Sequence, residues 1–160
     1  MNLTTHIAVG SAVGLATGNP VAGFFAGFVS HHILDSMPHS DPGSTGMSIY
    51  DAFQSKYRDG LYWALGDVFV ALIFFVIVIT KSSFSPLIFW GATGAVLPDA
   101  IDNSPFWSPY LRKIFPFNYY HLLHEKLHYT IESKKYFWAG IFDQLILIAI
   151  AVYYLSVKLA

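Results

Sequence analysis

The residues of this sequence best suited to chemistry are histidines and aspartates, and several recur at fixed spacing. His31 and Asp35 stand four apart, as do His124 and His128, with His121 one turn earlier. Residues four apart on a helix project from one face towards a common point. Imidazole nitrogen with carboxylate oxygen is the ligand set of zinc or another divalent first-row metal, manganese and iron included. His6, His32, His39, Asp41, Asp67, Asp99 and Asp102 extend the candidate set. This exceeds what one tetrahedral ion needs, so the expected cofactor is one to three ions, zinc first. Such a cluster polarises phosphoryl oxygens and activates water. A plainer reading stands beside this one. Interfacial histidines often act only as amphipathic anchors and helix-end aspartates are often merely solvated, which applies most to His32, His39, Asp41, Asp102 and His121. Cysteine is absent, which excludes disulfides, thiolate metal sites and cysteine nucleophiles.

The elements that must position these residues are apolar. The chain has 160 residues, 54% hydrophobic, 18% aromatic and 12% charged. Ordinary soluble domains carry about a quarter charged residues, so the expected class is an all-α, polytopic membrane helical bundle forming one domain. Disorder is excluded by the same figures. A net charge of −1 gives no reason to expect a nucleic-acid partner. The N-terminus lacks a positive n-region, so the first apolar stretch is expected to be retained.

The apolar runs and their punctuation predict about six helices: 5–17, 20–36, 61–80, 86–100, 117–131 and 136–157. The first and fourth are short and the fifth is amphipathic. Gly18-Asn19-Pro20 ends the first, with Asn19 as N-cap and Pro20 at the first helical position of the second. A polar loop is expected over 37–59 and irregular chain over 103–116. Gly10, Gly14 and Gly18, like Gly23 and Gly27, recur at four residues, the pattern of close helix packing in lipid. A weak echo at an offset of 64 pairs Gly27, Asp35 and Ser40 with Gly91, Asp99 and Ser104, as a duplicated hairpin (1–59 and 60–116) would.

Charge orients this map. Lys56, Arg58, Arg112, Lys113, Lys126, Lys134 and Lys135 fall on one side, and Lys81 and Lys158 on the other. The positive-inside rule places the richer side in the cytoplasm. All the histidines fall on or near that side. The expected protein is therefore multi-pass in the inner (cytoplasmic) membrane, its partner the lipid bilayer and its metal site facing the cytoplasm.

Thr5-His6 with Gly10, then Ser30-His31-His32-Ile33-Leu34-Asp35 with Pro38-His39, then Gly94-Ala95-Val96-Leu97-Pro98-Asp99, then a late histidine pair, resemble the YdjM-like family. Its members are small membrane proteins regarded as metal-dependent hydrolases, a group similar to zinc-dependent phospholipase C. The resemblance implies His6, His31, Asp35, Asp99, His124 and His128 as metal ligands, with Asp67 a further match, and Asp99 and Asp67 as the catalytic carboxylates. The substrate expected for a site level with the headgroups is a lipid or lipid-linked phosphate. Two rival readings remain. His124-Glu125-Lys126-Leu127-His128 fits the His-Glu-x-x-His pattern of a zinc intramembrane metalloprotease, with Glu125 as base. A non-enzymatic metal-handling protein is the other. Only Asp143 lies deep enough to suit transport, or it could orient a histidine instead.

Overall fold

The protein is described here from a computed structural model covering residues 1–42, 54–131 and 133–160. Residues 43–53 of the expected polar loop lie outside the described residues, as does Glu132. Among the described residues the fold is all-helical. Its α-helices are α1 (Leu3–Thr17), α2 (Pro20–Asp35), α3 (Arg58–Lys81), α4 (Pro86–Asp102), α5 (Ser108–Leu111), α6 (Phe117–Leu127) and α7 (Phe137–Leu159). A 3-10 turn, Ser55–Tyr57, precedes α3.

Local chemistry accounts for the boundaries. Gly18 ends α1 in the left-handed conformation, at φ 65°, so it terminates the helix and does not extend the packing stripe. The Asn19 side chain accepts from the backbone N–H groups of Val21 (2.9 Å) and Ala22 (3.0 Å), capping α2 as its sequence predicts. Two expectations need correction. The stretch 103–116 is not wholly irregular, because Pro109 fits the first turn of the short α5. The amphipathic helix stops at Leu127 and not at 131, because His128 turns to extended backbone (φ −91°, ψ 112°). The following segment then pairs with another loop. His39 N–H donates to Tyr129 O, and Ile131 N–H to His39 O (2.7 Å).

α1, α2 and α4 pack as a tight three-helix core, with α3 and α7 leaning on α1 and α6 lying across α2 and α4. Glycine makes the core possible. A Cβ on Gly14 would sit 2.7 Å from Gly91 Cα, and one on Gly10 would sit 2.8 Å from Gly91 O. Gly27 likewise abuts the Gly91 carbonyl. Backbones this close leave no room for side chains, the small-residue packing expected for helices in lipid.

α3 and α7 differ in kind. At 24 and 23 residues they are long and apolar enough to cross a membrane, rising roughly 35 Å against a hydrocarbon core of about 30 Å. Most of their side chains face outward. α1, α2 and α4 have 15, 16 and 17 residues, short of a full perpendicular span.

Gly91→Ala should therefore lower stability by about 1–3 kcal/mol through overpacking. Gly66→Ala, where an added Cβ meets nothing within 4 Å, should not. Thermal unfolding in detergent checks both, and equal melting temperatures would contradict the packing described.

Candidate metal centre

The site is built where the core helices end. Asp35, the last residue of α2, is completely buried, and imidazoles from three segments surround it. His6 Nε2 lies 3.1 Å from Asp35 Oδ1, and His31 Nε2 3.1 Å from Oδ2. His124 Nε2 approaches Oδ2 at 3.4 Å and His128 Nε2 at 3.7 Å. The Met1 amino group also contacts Oδ1. The His6 and His31 rings stack at 3.9 Å. Asp99, from α4, brings Oδ1 to 3.7 Å from His31 Nε2 and 3.9 Å from His124 Nε2.

The outer nitrogens fix what the inner ones offer. His31 Nδ1 donates to Ala95 O (2.8 Å), and His39 Nδ1 donates to Met37 O (2.8 Å). A carbonyl only accepts, so in each ring Nδ1 carries a proton, and in the neutral form Nε2 holds the lone pair. His124 faces a carboxylate at each nitrogen, with Nδ1 3.0 Å from Asp102 and Nε2 3.4 Å from Asp35. His128 Nδ1 pairs with Thr130 Oγ1 at 3.0 Å. The inward nitrogens crowd together. His31 Nε2 and His124 Nε2 are 3.2 Å apart beside two carboxylates, an arrangement that needs a proton or a cation between them.

Among the described residues four further histidine nitrogens are stranded: both nitrogens of His6, its Nε2 being out of line for a hydrogen bond to Asp35, together with His32 Nδ1 and His39 Nε2. Leaving such groups unsatisfied costs about 1–3 kcal/mol each. Ligand atoms of His31, Asp35, Asp99 and His124 lie within 4.8 Å of one another, as do those of Asp35, His39 and His128, and those of His31, His32 and His124. These buried clusters can hold a metal ion. Nitrogen and oxygen donors without thiolates suit zinc, manganese or iron.

Burial and charge set the protonation of the ligands. Burial, with the nearby Met1 ammonium, pushes His39 down to about 4 and lowers His128, keeping both neutral. Burial opposes charge on His124 too, but its hydrogen bonds to Asp102 and Asp35 outweigh it and raise the group to about 9. A metal at His124 would displace that proton.

The structure brings together His6, His31, Asp35, His39, Asp99, His124 and His128. His124 and His128, expected on one helix face, fall instead in different ligand groups because α6 ends between them. Asp67 is engaged elsewhere. Its carboxylate accepts from the backbone N–H groups of Leu3 and Thr4 and from Thr4 Oγ1 (2.6 Å), capping α1 from α3. It belongs to none of the three ligand groups. His32 sits 3.3 Å from the Tyr120 hydroxyl.

Asp102 and Gln144 contribute more than their sequence signal suggested. Asp102, 3% exposed, is gripped by Arg112 Nε (2.9 Å) and His121 Nδ1 (3.0 Å) while it orients His124. Asp143 is exposed, and its neighbour Gln144 is the polar side chain buried in α7. Gln144 donates to Ser40 O (2.7 Å) and accepts from Asn2 N–H (2.8 Å). Gly140 lets the His39–Ser40 backbone press against α7, since a Cβ there would lie 2.5 Å from Ser40 N.

Metal titration of the purified protein should show at least one tightly bound zinc or manganese equivalent, with Asp35→Asn abolishing binding. Asp102→Asn should weaken it by about 10–100-fold, as loss of a carboxylate behind a histidine ligand does. Unchanged affinity in both variants would rule out this centre. Compared with known proteins, the chain matches no family profile, no curated protein and no solved structure.

Proposed function

We propose that this protein is a membrane-bound, metal-dependent hydrolase of the YdjM-like kind, acting on a lipid or lipid-linked phosphoester at the cytoplasmic face. The observation that carries the reading is the convergence of the His6, His31, His124 and His128 Nε2 atoms on Asp35, with His31 and His124 held from behind. Zinc fits this donor set, with one to three ions. A bound divalent metal supplies Lewis acidity towards a phosphoryl oxygen and lowers the pKa of water.

The chain's own residues divide the labour. His6, His31, Asp35, His39, His124 and His128 bind, while Asp102, the Ala95 carbonyl and the Met37 carbonyl orient. Of the groups in the centre, His31, Asp35 and His124 are 0–2% exposed, His128 is 17% exposed and Asp99 is 22% exposed. Asp99 faces a cavity of about 260 Å³ lined also by Asp41, Trp63, Asp67, Asn103 and Ser104, and substrate would reach the centre there. Three carboxylates in that wall repel a phosphate; the Met1 amino group, 3.9 Å from Asp41, offsets part of that charge, and a bound metal would offset more. Asp99 is positioned to accept the proton of attacking water at the cavity mouth.

The metalloprotease reading has less support. Glu125 is 65% exposed and pairs with His121 Nε2 at 3.5 Å, turned from the centre. Asp99→Asn should reduce hydrolysis of bis(p-nitrophenyl) phosphate by about 100-fold, the usual range for a proton-transfer group. Glu125→Gln should leave that hydrolysis unchanged. Cleavage of a transmembrane peptide that disappears with Glu125→Gln would instead establish the protease.

The cytoplasmic orientation rests on the basic residues at and before the starts of α3 and α7, Lys56, Arg58, Lys134 and Lys135, against the lone terminal lysines Lys81 and Lys158. In intact cells Ser83→Cys, at the α3–α4 turn, should react with an impermeant maleimide. Ser104→Cys, beside Asp99, should react only after the membrane is opened. Labelling of both from outside would reverse the assignment of the site to the cytoplasm.

A further inference from the structure

α3 and α7 run side by side but do not seal against each other along their length. Towards their C-terminal ends Val78 and Leu155 belong to one apolar cluster with Ile88, and a further cavity of about 450 Å³ lies between the two helices there. Nearer the metal centre each leans on α1, and a groove of about 660 Å³ opens between them. Its walls include Tyr62, Trp63, Val70, Ile141, Leu145 and Ile148. Gly66 leaves part of it without a side chain, and an added Cβ there meets nothing within 4 Å.

We propose that this groove holds one alkyl chain of an amphiphile whose phosphate end lies at Asp99, a reading that rests on the phosphoester assignment above for the headgroup alone. Three observations support it. The groove and the cavity at Asp99 share Asn2, Trp63 and Asp67 in their walls, so the two spaces adjoin. Asp67, the shared carboxylate, is engaged by the Leu3 and Thr4 N–H groups, so it adds no unpaired acceptor beside an apolar chain. The groove lies between the two helices long and apolar enough to cross a membrane, where an alkyl chain can enter sideways.

Size selects the occupant. A helix about 10 Å across would fill this volume in fewer than two turns. That is too little for a partner helix to dock, whereas an extended alkyl chain can follow the whole groove. The apolar walls are otherwise open, with Tyr62 at 62%, Val70 at 52% and Leu145 at 56% exposure. A short-chain phosphate leaves these walls uncovered, whereas a long chain entering from the bilayer covers them, which gives the site selectivity for long-chain phosphates over soluble ones.

The test uses full-length protein in phosphatidylcholine nanodiscs and a dodecyl phosphate carrying a mid-chain diazirine. After irradiation, peptide mapping should place the label on Tyr62, Val70 and Leu145. It should exceed that on Phe69 and Phe142, exposed residues outside the groove wall. Unlabelled dodecyl phosphate should compete, and butyl phosphate at the same concentration should not. Gly66→Trp, which fills the groove, should abolish the groove label while retaining bound metal as evidence of folding. The wild-type map decides the matter even if that variant fails to fold. Label spread evenly over α3 and α7, or competition by butyl phosphate as strong as by dodecyl phosphate, would overturn the proposal. Groove labelling in a protein that turns over no phosphoester would support the chain site while removing the hydrolase assignment.

Discussion

A carboxylate taken out of water costs several kcal/mol unless opposite charge and hydrogen bonds surround it. Asp35 is wholly buried, and much of the surrounding structure answers that requirement. His6, His31, His124 and His128 direct Nε2 at its oxygens, and the Met1 amino group approaches from the same side. Even its backbone takes part, since Asp35 O accepts from Tyr129 N–H (2.8 Å) and so ties the chain after α6 to the end of α2. A neutral imidazole that turns a lone pair inward satisfies a carboxylate poorly, so the protons on His124 and on the Met1 amino group carry much of the balance. The same converging donors can hold a metal ion.

Such convergence needs helices that approach closely and stop at one level. Gly10, Gly14, Gly27 and Gly91 remove the side chains that would hold α1, α2 and α4 apart. His6, His31, Asp35 and Asp99 then arrive together from three helices. The remaining ligands depend on a different contact, the His39–Ser40 backbone lodged on Gly140 and held by Gln144. The pairing of His39 with Thr130 places His128 against it, with ring centroids 4.8 Å apart. Steric tolerance at five glycines thus precedes all the coordination chemistry.

The centre is closed at His31, Asp35 and His124 and reaches the surface at Asp99 and His128. Its outer support differs by direction: carbonyls hold His31 and His39, while an Arg112–Asp102 pair holds His124. A carboxylate behind an imidazole raises its basicity more than a carbonyl does. His124 is accordingly the ligand whose protonation competes most directly with metal. Beyond Asp99, polar walls give way to the apolar surfaces of α3 and α7, a gradient suited to a molecule with a charged end and a greasy one.

The sequence by itself determined the all-helical class, the caps at Asn19 and Gly18, the small-residue packing and most of the residues that converge on Asp35. These are local matters: period, cap chemistry and the donor types able to hold a metal are written in short stretches of chain. It could equally name His6, His31, Asp35, Asp99 and the late histidines, because ionisable groups are scarce in so apolar a chain and each is conspicuous. Tertiary structure decided the rest. Asp67 and Asp99 look alike in sequence, each an acid within an apolar helix. Packing alone gives one to the start of α1 and the other to the metal centre. Asp102 and Gln144 acquire their roles only when α6 and the 39–40 segment are brought against them. His128 leaves the helix because pairing with the loop after α2 offers its neighbours backbone partners that one more helical turn would forfeit. Long-range contacts select among residues of equal local chemistry, and no spacing rule within one helix encodes that choice.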